Sequence, residues 1–169
     1  MNPAAALLLT ISTLAPAALT AESLVADLER RLAAGGAEQV NAYLSSNWSS
    51  VMAPLNQKTA GCDLQAVSLS MQLSRSLDTK AAQAHGDSLR AATGKCMRFV
   101  LALATIDELP TYCSSVETWS PSQTARELRR RIAAIDADAI LRSSQRGKGC
   151  RAAYMHELRN TRVGLKTRS

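Results

Sequence analysis

The stretch HGDSLRAATGKCMRFVLALA, residues 85–104, indicates the fold class of this chain. Its apolar or weakly polar positions recur at alternating steps of four and three, at His85, Leu89, Ala92, Cys96, Phe99 and Leu103. A repeat close to 3.5 residues is typical of an α-helix that packs along one face in a bundle. The pattern predicts one long helix over about 79–106. Residues 99–104 are apolar on all sides, so we expect them to form the central buried segment.

The rest of the chain also favours helices over strands. Aromatic residues make up only 4% of the sequence, whereas strands are rich in aromatic and β-branched side chains. Ser120, Pro121 and Gln123 match a helix capping box, and an apolar stripe follows at Ala125, Leu128, Ile132 and Ile135. The length suits one domain. We therefore expect an all-α, single-domain bundle of five to seven helices over residues 22–160, held by two disulfides.

The first 21 residues carry no charged side chain, and Glu22 is the first acidic residue. An apolar run over 5–14 and small residues over 16–21 match a secretory signal peptide cleaved near Thr20 or Ala21. A retained membrane anchor is the alternative, since roughly 20 apolar residues span a bilayer. Residues 161–169 are predicted to be a basic, frayed tail. The leader predicts a periplasmic or secreted protein, and we favour a bacterial envelope.

The chain has four cysteines, Cys62, Cys96, Cys113 and Cys150. An even number in an exported chain predicts two disulfides, with three possible pairings. We favour Cys96–Cys113, which would tie the long helix to the loop after it, together with Cys62–Cys150, which would join distant parts of the domain. The chain has no C-x-x-C pair and only two histidines, so we expect neither a metal site nor a cofactor.

Positive charge is concentrated in the last third of the chain. Residues 120–169 carry a net charge of +8, whereas residues 1–119 carry −2. Arg126, Arg129 and Arg130 follow one another at i, i+3 and i+4, so they are predicted to converge on one acidic surface. The alternative is a solvated helix face. The predicted partner-binding surface is completed by Arg142, Arg146, Lys148 and Arg151.

An acidic protein surface is the expected partner of these cations, and anionic lipid is a second class that they would suit. Nucleic acid is disfavoured, because the chain is predicted to be exported and no aromatic residues alternate with the basic cluster to stack on bases.

No catalytic motif stands out. His156-Glu157 resembles the start of the zinc-protease motif H-E-x-x-H, but position 160 is Asn160. We therefore expect a non-enzymatic binding protein of the envelope, for example an immunity or inhibitor protein. The alternatives are an accessory subunit of a secretion or conjugation machine, a hydrolase with unidentified carboxylates, and a protein of anionic membrane surfaces that uses the basic tail.

Overall fold

The chain is all-α in the residues that the computed structural model describes, which are 21–76, 79–115 and 120–166. The predicted fold class is confirmed. Apart from Ala21, the predicted signal peptide lies outside the described residues, and so does the end of the predicted tail, 167–169. Within the described part, no helix combines the length and the apolarity that crossing a bilayer requires.

Nine α-helical segments and one π-helical turn occur in the described residues. This is more than the five to seven expected, because short helices and turns divide the chain further. The segments are α1 Ala21–Ser46, the π-helical turn Trp48–Met52, α2 Ala53–Gly61, α3 Leu64–Leu73, α4 Thr79–Thr93, α5 Met97–Leu103, α6 Leu109–Tyr112, α7 Pro121–Ala137, α8 Ala139–Ser143 and α9 Gln145–Lys166. Helix α1 is kinked at Gly36, whose φ of 76° is accessible to glycine at little cost.

The long helix predicted over 79–106 is divided into α4 and α5 by a turn over 94–96. A Cβ atom at Gly94 would lie only 2.7 Å from Nη2 of Arg131, so the absence of a side chain at Gly94 leaves room for that guanidinium group. The prediction that 99–104 is buried on all sides is wrong in part. Val100, Leu101 and Ala104 are buried, but Ala102 and Leu103 face outward.

The disulfides pair Cys62 with Cys96 and Cys113 with Cys150. The predicted pairing of Cys96 with Cys113 and of Cys62 with Cys150 is therefore wrong. The physical reason is the break between α4 and α5, which places Cys96 in a turn at the start of α5, where it meets Cys62 at the end of α2. Cys113, at the end of α6, is left to reach α9.

Two groups of buried side chains form the interior. The first is built by α1, the π-helical turn, α2, one face of α3 and the start of α4. The second is larger and is built by the other face of α3, the end of α4 and the helices from α5 to α9. Because α3 contributes Leu69 and Leu73 to the first group and Val67 and Met71 to the second, it lies between them.

Candidate interaction surface on α7 and α9

Helices α7 and α9 carry most of the predicted partner-binding residues and pack against each other in antiparallel directions. The capping box at the start of α7 is confirmed, since Ser120 Oγ accepts from the Gln123 amide at 3.3 Å and Gln123 Oε1 accepts from the Ser120 amide at 2.8 Å. At the other end of α7, Asp136 binds Arg151 of α9. Near the middle, Arg131 of α7 reaches Tyr154 of α9.

Residues 146–149 lie in the first turns of α9, although their two glycines are typical of a loop. Ser144 precedes this helix, and its Oγ accepts from the Gly147 amide at 3.0 Å. A Cβ atom at Gly147 would lie 1.8 Å from the carbonyl oxygen of Leu141. The glycine is therefore explained by the close approach of α8 to α9.

Arg130 and Arg129 are neighbours in the sequence, but their side chains lie in different surroundings. Arg130 borders a cleft between α7 and α5. It forms an ion pair with Glu127, and its Nη2 donates to the carbonyl of Gly94 at 3.1 Å. Its neighbour Arg131 is 2% exposed and donates to the carbonyl of Arg90 at 2.8 Å. Both arginines thus bind carbonyls at the C-terminal end of α4, where helical carbonyls lack intrahelical partners.

Arg142 and Arg146 also bind helix ends. Arg142 Nη1 donates to the carbonyl of Asp136 in the last turn of α7, at 2.9 Å. Arg146 Nη1 donates to the carbonyl of Ala102 in the last turn of α5, at 3.1 Å. Positive groups at these positions also complement the negative end of the helix dipole. These predicted partner-binding residues therefore have contacts within the fold.

Arg151 binds the Asp136 carboxylate through two hydrogen bonds, from Nε at 2.7 Å and from Nη2 at 3.2 Å. The three predicted residues that remain are Arg126, Arg129 and Lys148. All are exposed, and none forms an ion pair with a described residue.

The carboxylates beside these cations already form ion pairs with arginines of the fold. A hydrogen bond from Arg130 holds the pKa of the Glu127 carboxyl below its ordinary value. Arg151 lowers the pKa of Asp136 in the same way, and Arg98 that of Asp138. These groups are ionised at neutral pH, and each is paired with an arginine, so they are poor candidates for general acids.

A groove of about 280 Å³ lies between α7 and α9. Its floor is apolar, and Arg129 and Arg159 stand beside it, where the antiparallel packing brings these two residues to the same end. Arg159 is exposed and, like Arg129, forms no ion pair with a described residue. Arg159 is not among the residues predicted from the sequence to bind a partner. Its position four residues after Met155 on α9 is the signal that would have placed it beside the groove.

A second cavity of about 490 Å³ lies beside the Cys113–Cys150 disulfide and is bordered by His156 and Glu157. Glu157 accepts from the Ser115 amide at 2.8 Å and from the Ser115 hydroxyl. Glu157 thus connects the segment just after α6 to α9 through two hydrogen bonds.

The other histidine of the chain, His85, is fully buried, and its Nε2 lies 3.1 Å from Asn41 Oδ1.

The described residues contain no group of three or more His, Cys, Asp and Glu side chains placed to hold a metal ion. Comparison of the chain with protein-family models, with curated proteins and with solved structures found no match.

Proposed function

We propose that this chain is a non-enzymatic binding protein exported to the bacterial envelope, where it engages an acidic protein through the exposed cations of α7 and α9. The observation that carries the proposal is the division of the arginines. Most of them bind helix-end carbonyls or carboxylates within the fold, as Arg130, Arg142 and Arg151 do. Arg126, Arg129 and Arg159 are exposed and have no carboxylate among the described residues.

The predicted compartment is supported by the cysteines. The chain forms two disulfides, Cys62–Cys96 and Cys113–Cys150. Disulfides form and persist mainly in oxidising compartments such as the periplasm or the extracellular space. The uncharged leader predicted over 1–21 points to the same location.

An acidic protein suits this surface because guanidinium groups bind carboxylates with defined geometry. Each arginine offers a planar set of donors that matches a carboxylate oxygen pair. We name the exposed set Arg126, Arg129 and Arg159 the cationic rim. An unpaired cation in water costs the fold little, and pairing it with an acidic partner speeds association and selects the partner.

The test is affinity capture from the envelope fraction of the cells that produce the protein. The immobilised mature chain is compared with the variant R126E/R129E/R159E. The matched control R30E/K80E/K95E makes the same change in net charge at exposed positions outside the rim. Bound proteins are identified by mass spectrometry, and circular dichroism checks that each variant is folded.

We expect the rim variant to lose a partner that wild type and the control both retain. Each rim ion pair is worth about 0.2–1 kcal/mol, and repulsion adds to the loss, so affinity falls by roughly 10- to 100-fold. The retained partner is expected to present an acidic surface, and its capture is expected to weaken with added salt. Equal capture by the rim variant and wild type would contradict the proposal.

A further inference from the structure

The groove between α7 and α9 is small and has an apolar floor. The floor consists of Ile132, Ala133, Met155 and Leu158. Ile132 and Leu158 are only 8% and 6% exposed, so they form a firm base, while Ala133 and Met155 are more accessible. A volume of about 280 Å³ is below the range of roughly 300–1,000 Å³ that is usual for small-molecule pockets.

The two ends of the groove differ in charge. Arg129 and Arg159 border one end, and neither has a carboxylate among the described residues. Arg126 extends the same positive region by one turn of α7. At the other end, the Asp136 carboxylate is already bound by Arg151 at 2.7 Å. Among the described residues that border the groove, the two guanidinium groups without a carboxylate, Arg129 and Arg159, therefore lie at the same end.

We propose that this groove binds one apolar side chain of a partner segment whose Asp or Glu residues lie on the side facing Arg129 and Arg159. The inference rests on the proposed function and names the segment that the cationic rim recognises. Apolar burial in the groove supplies affinity, and the two guanidinium groups fix the direction of the segment. Met and Arg are both enriched in the cores of protein interfaces, where they surround such anchor side chains.

A protein segment fits the groove better than a lipid does. Insertion into an anionic membrane needs large apolar side chains that project from the surface. The exposed large apolar side chains of the described residues are Trp48, Leu64, Leu103, Ile106 and Ile140. None of them borders the groove.

Two adjacent alanines of α7 provide the test. Ala133 lies in the groove, whereas Ala134 borders the cleft on the α5 side, and both are exposed. The variant A133W fills the groove, and A134W adds the same bulk outside it. Capture of the partner is measured for both, with R126E/R129E/R159E in parallel and circular dichroism as a check of folding.

We expect A133W to weaken capture at least tenfold and A134W to leave it within twofold of wild type. If A133W captures the partner as well as wild type does, the groove is not the binding site, even when R126E/R129E/R159E abolishes capture and the proposed function stands. If no variant and no wild-type chain captures a partner, both proposals fail.

A second measurement identifies what occupies the groove. A photo-cross-linking phenylalanine analogue replaces Met155 in the full mature chain, and the same analogue at Gln57, an exposed residue of α2, is the control. We expect a cross-link from position 155 alone, to a segment that has acidic residues on one side of an apolar residue. Cross-links to lipid only, or to a segment without acidic residues, would overturn the inference.

Discussion

The guanidinium group of Arg131 lies beside the phenol of Tyr154 inside the larger core. Arg131 Nη1 is 3.2 Å from the Tyr154 hydroxyl, and Arg131 Cζ is 5.7 Å from the centre of the ring. The same Nη1 donates to the carbonyl of Arg90 at 2.8 Å. Arg131 also lies within 3.5 Å of Glu127. A single buried side chain thus joins α4, α7 and α9 through polar contacts.

The first prediction concerns the coupling of Arg131 and Tyr154. Tyr154→Phe removes one hydrogen bond and keeps the ring, so we expect a loss of about 1 kcal/mol in the free energy of unfolding. Arg131→Leu leaves the Arg90 carbonyl and the Tyr154 hydroxyl without this donor, at a cost of about 2–4 kcal/mol. In the Arg131→Leu background, Tyr154→Phe is then expected to cost nothing, because the hydroxyl has already lost its donor. Urea unfolding of the four proteins measures the coupling, and an equal cost of Tyr154→Phe in both backgrounds would show that the two residues act independently.

The second prediction compares two glycines. A Cβ atom at Gly147 would lie 1.8 Å from the backbone oxygen of Leu141, whereas a Cβ atom at Gly61 would have nothing within 4 Å. Gly147→Ala must push α8 away from α9, and we expect it to destabilise the fold by at least about 1–3 kcal/mol. Gly61→Ala reduces the freedom of the unfolded chain without strain and is expected to stabilise by roughly 0.4–1 kcal/mol. Thermal unfolding decides the comparison, and a stable Gly147→Ala variant would mean that the two helices are not held this closely.

The α-helical class and the capping box at Ser120 follow from local sequence, since periodicity and capping involve residues only a few positions apart. The break at Gly94 does not. The apolar repeat continues on both sides of that residue, and the guanidinium group that lies against Gly94 comes from Arg131 of α7, which the pattern of α4 does not contain. The disulfide pairing was missed for the same reason, because it depends on where the turn places Cys96.

The contacts of the candidate site, like the disulfide pairing, depend on tertiary packing that local sequence patterns do not contain. The i, i+3, i+4 spacing places Arg126, Arg129 and Arg130 within one turn of each other, but it does not reveal which carbonyls lie nearby. Arg130 meets Gly94 only through the packing of α7 on the end of α4. A fold with many short helices has many unpaired C-terminal carbonyls, and part of the basic charge in this chain binds them.

The third prediction compares how much each disulfide contributes to the free energy of unfolding. They close segments of similar length, with sequence separations of 34 and 37 residues, so their effects on the unfolded chain are alike. Cys113 and Cys150 are buried in the larger core, whereas Cys62 and Cys96 are only half-buried. We expect Cys62→Ala/Cys96→Ala to cost about 2–4 kcal/mol. The pair Cys113→Ala/Cys150→Ala is expected to cost roughly 1–2 kcal/mol more, because it also leaves a cavity.

Urea unfolding measures both costs, and peptide mapping without reduction checks the pairing independently. The expected cross-linked peptides join Cys62 with Cys96 and Cys113 with Cys150. A peptide that joins Cys96 with Cys113 would contradict the connection described here. If the two double variants were equally stable, the core position of Cys113 and Cys150 would contribute nothing beyond the cross-link.

The last prediction is a pH dependence that arises from Glu108. Arg75 donates to this carboxylate from Nε at 2.7 Å and from Nη2 at 3.0 Å, and the Thr105 amide donates to it at 2.7 Å. The hydrogen bond from Arg75 is the main reason that the pKa of Glu108 lies below its ordinary value of 4.5. Since the folded state binds this proton less tightly than the unfolded state does, the stabilisation is complete above about pH 4.5 and is lost as the pH falls through the folded-state pKa.

Glu108→Gln is therefore expected to lower the free energy of unfolding by about 1 kcal/mol at pH 7, and the difference from wild type is expected to shrink towards zero as the pH falls through the folded-state pKa. Glu38→Gln is the matched control, because Glu38 is exposed and forms no ion pair with a described residue. Its effect on the free energy of unfolding at pH 7 is expected to be small. Urea unfolding between pH 7 and pH 2 measures both differences. A Glu108→Gln difference that persists at the lowest pH would assign the stabilisation to packing of the side chain rather than to its charge.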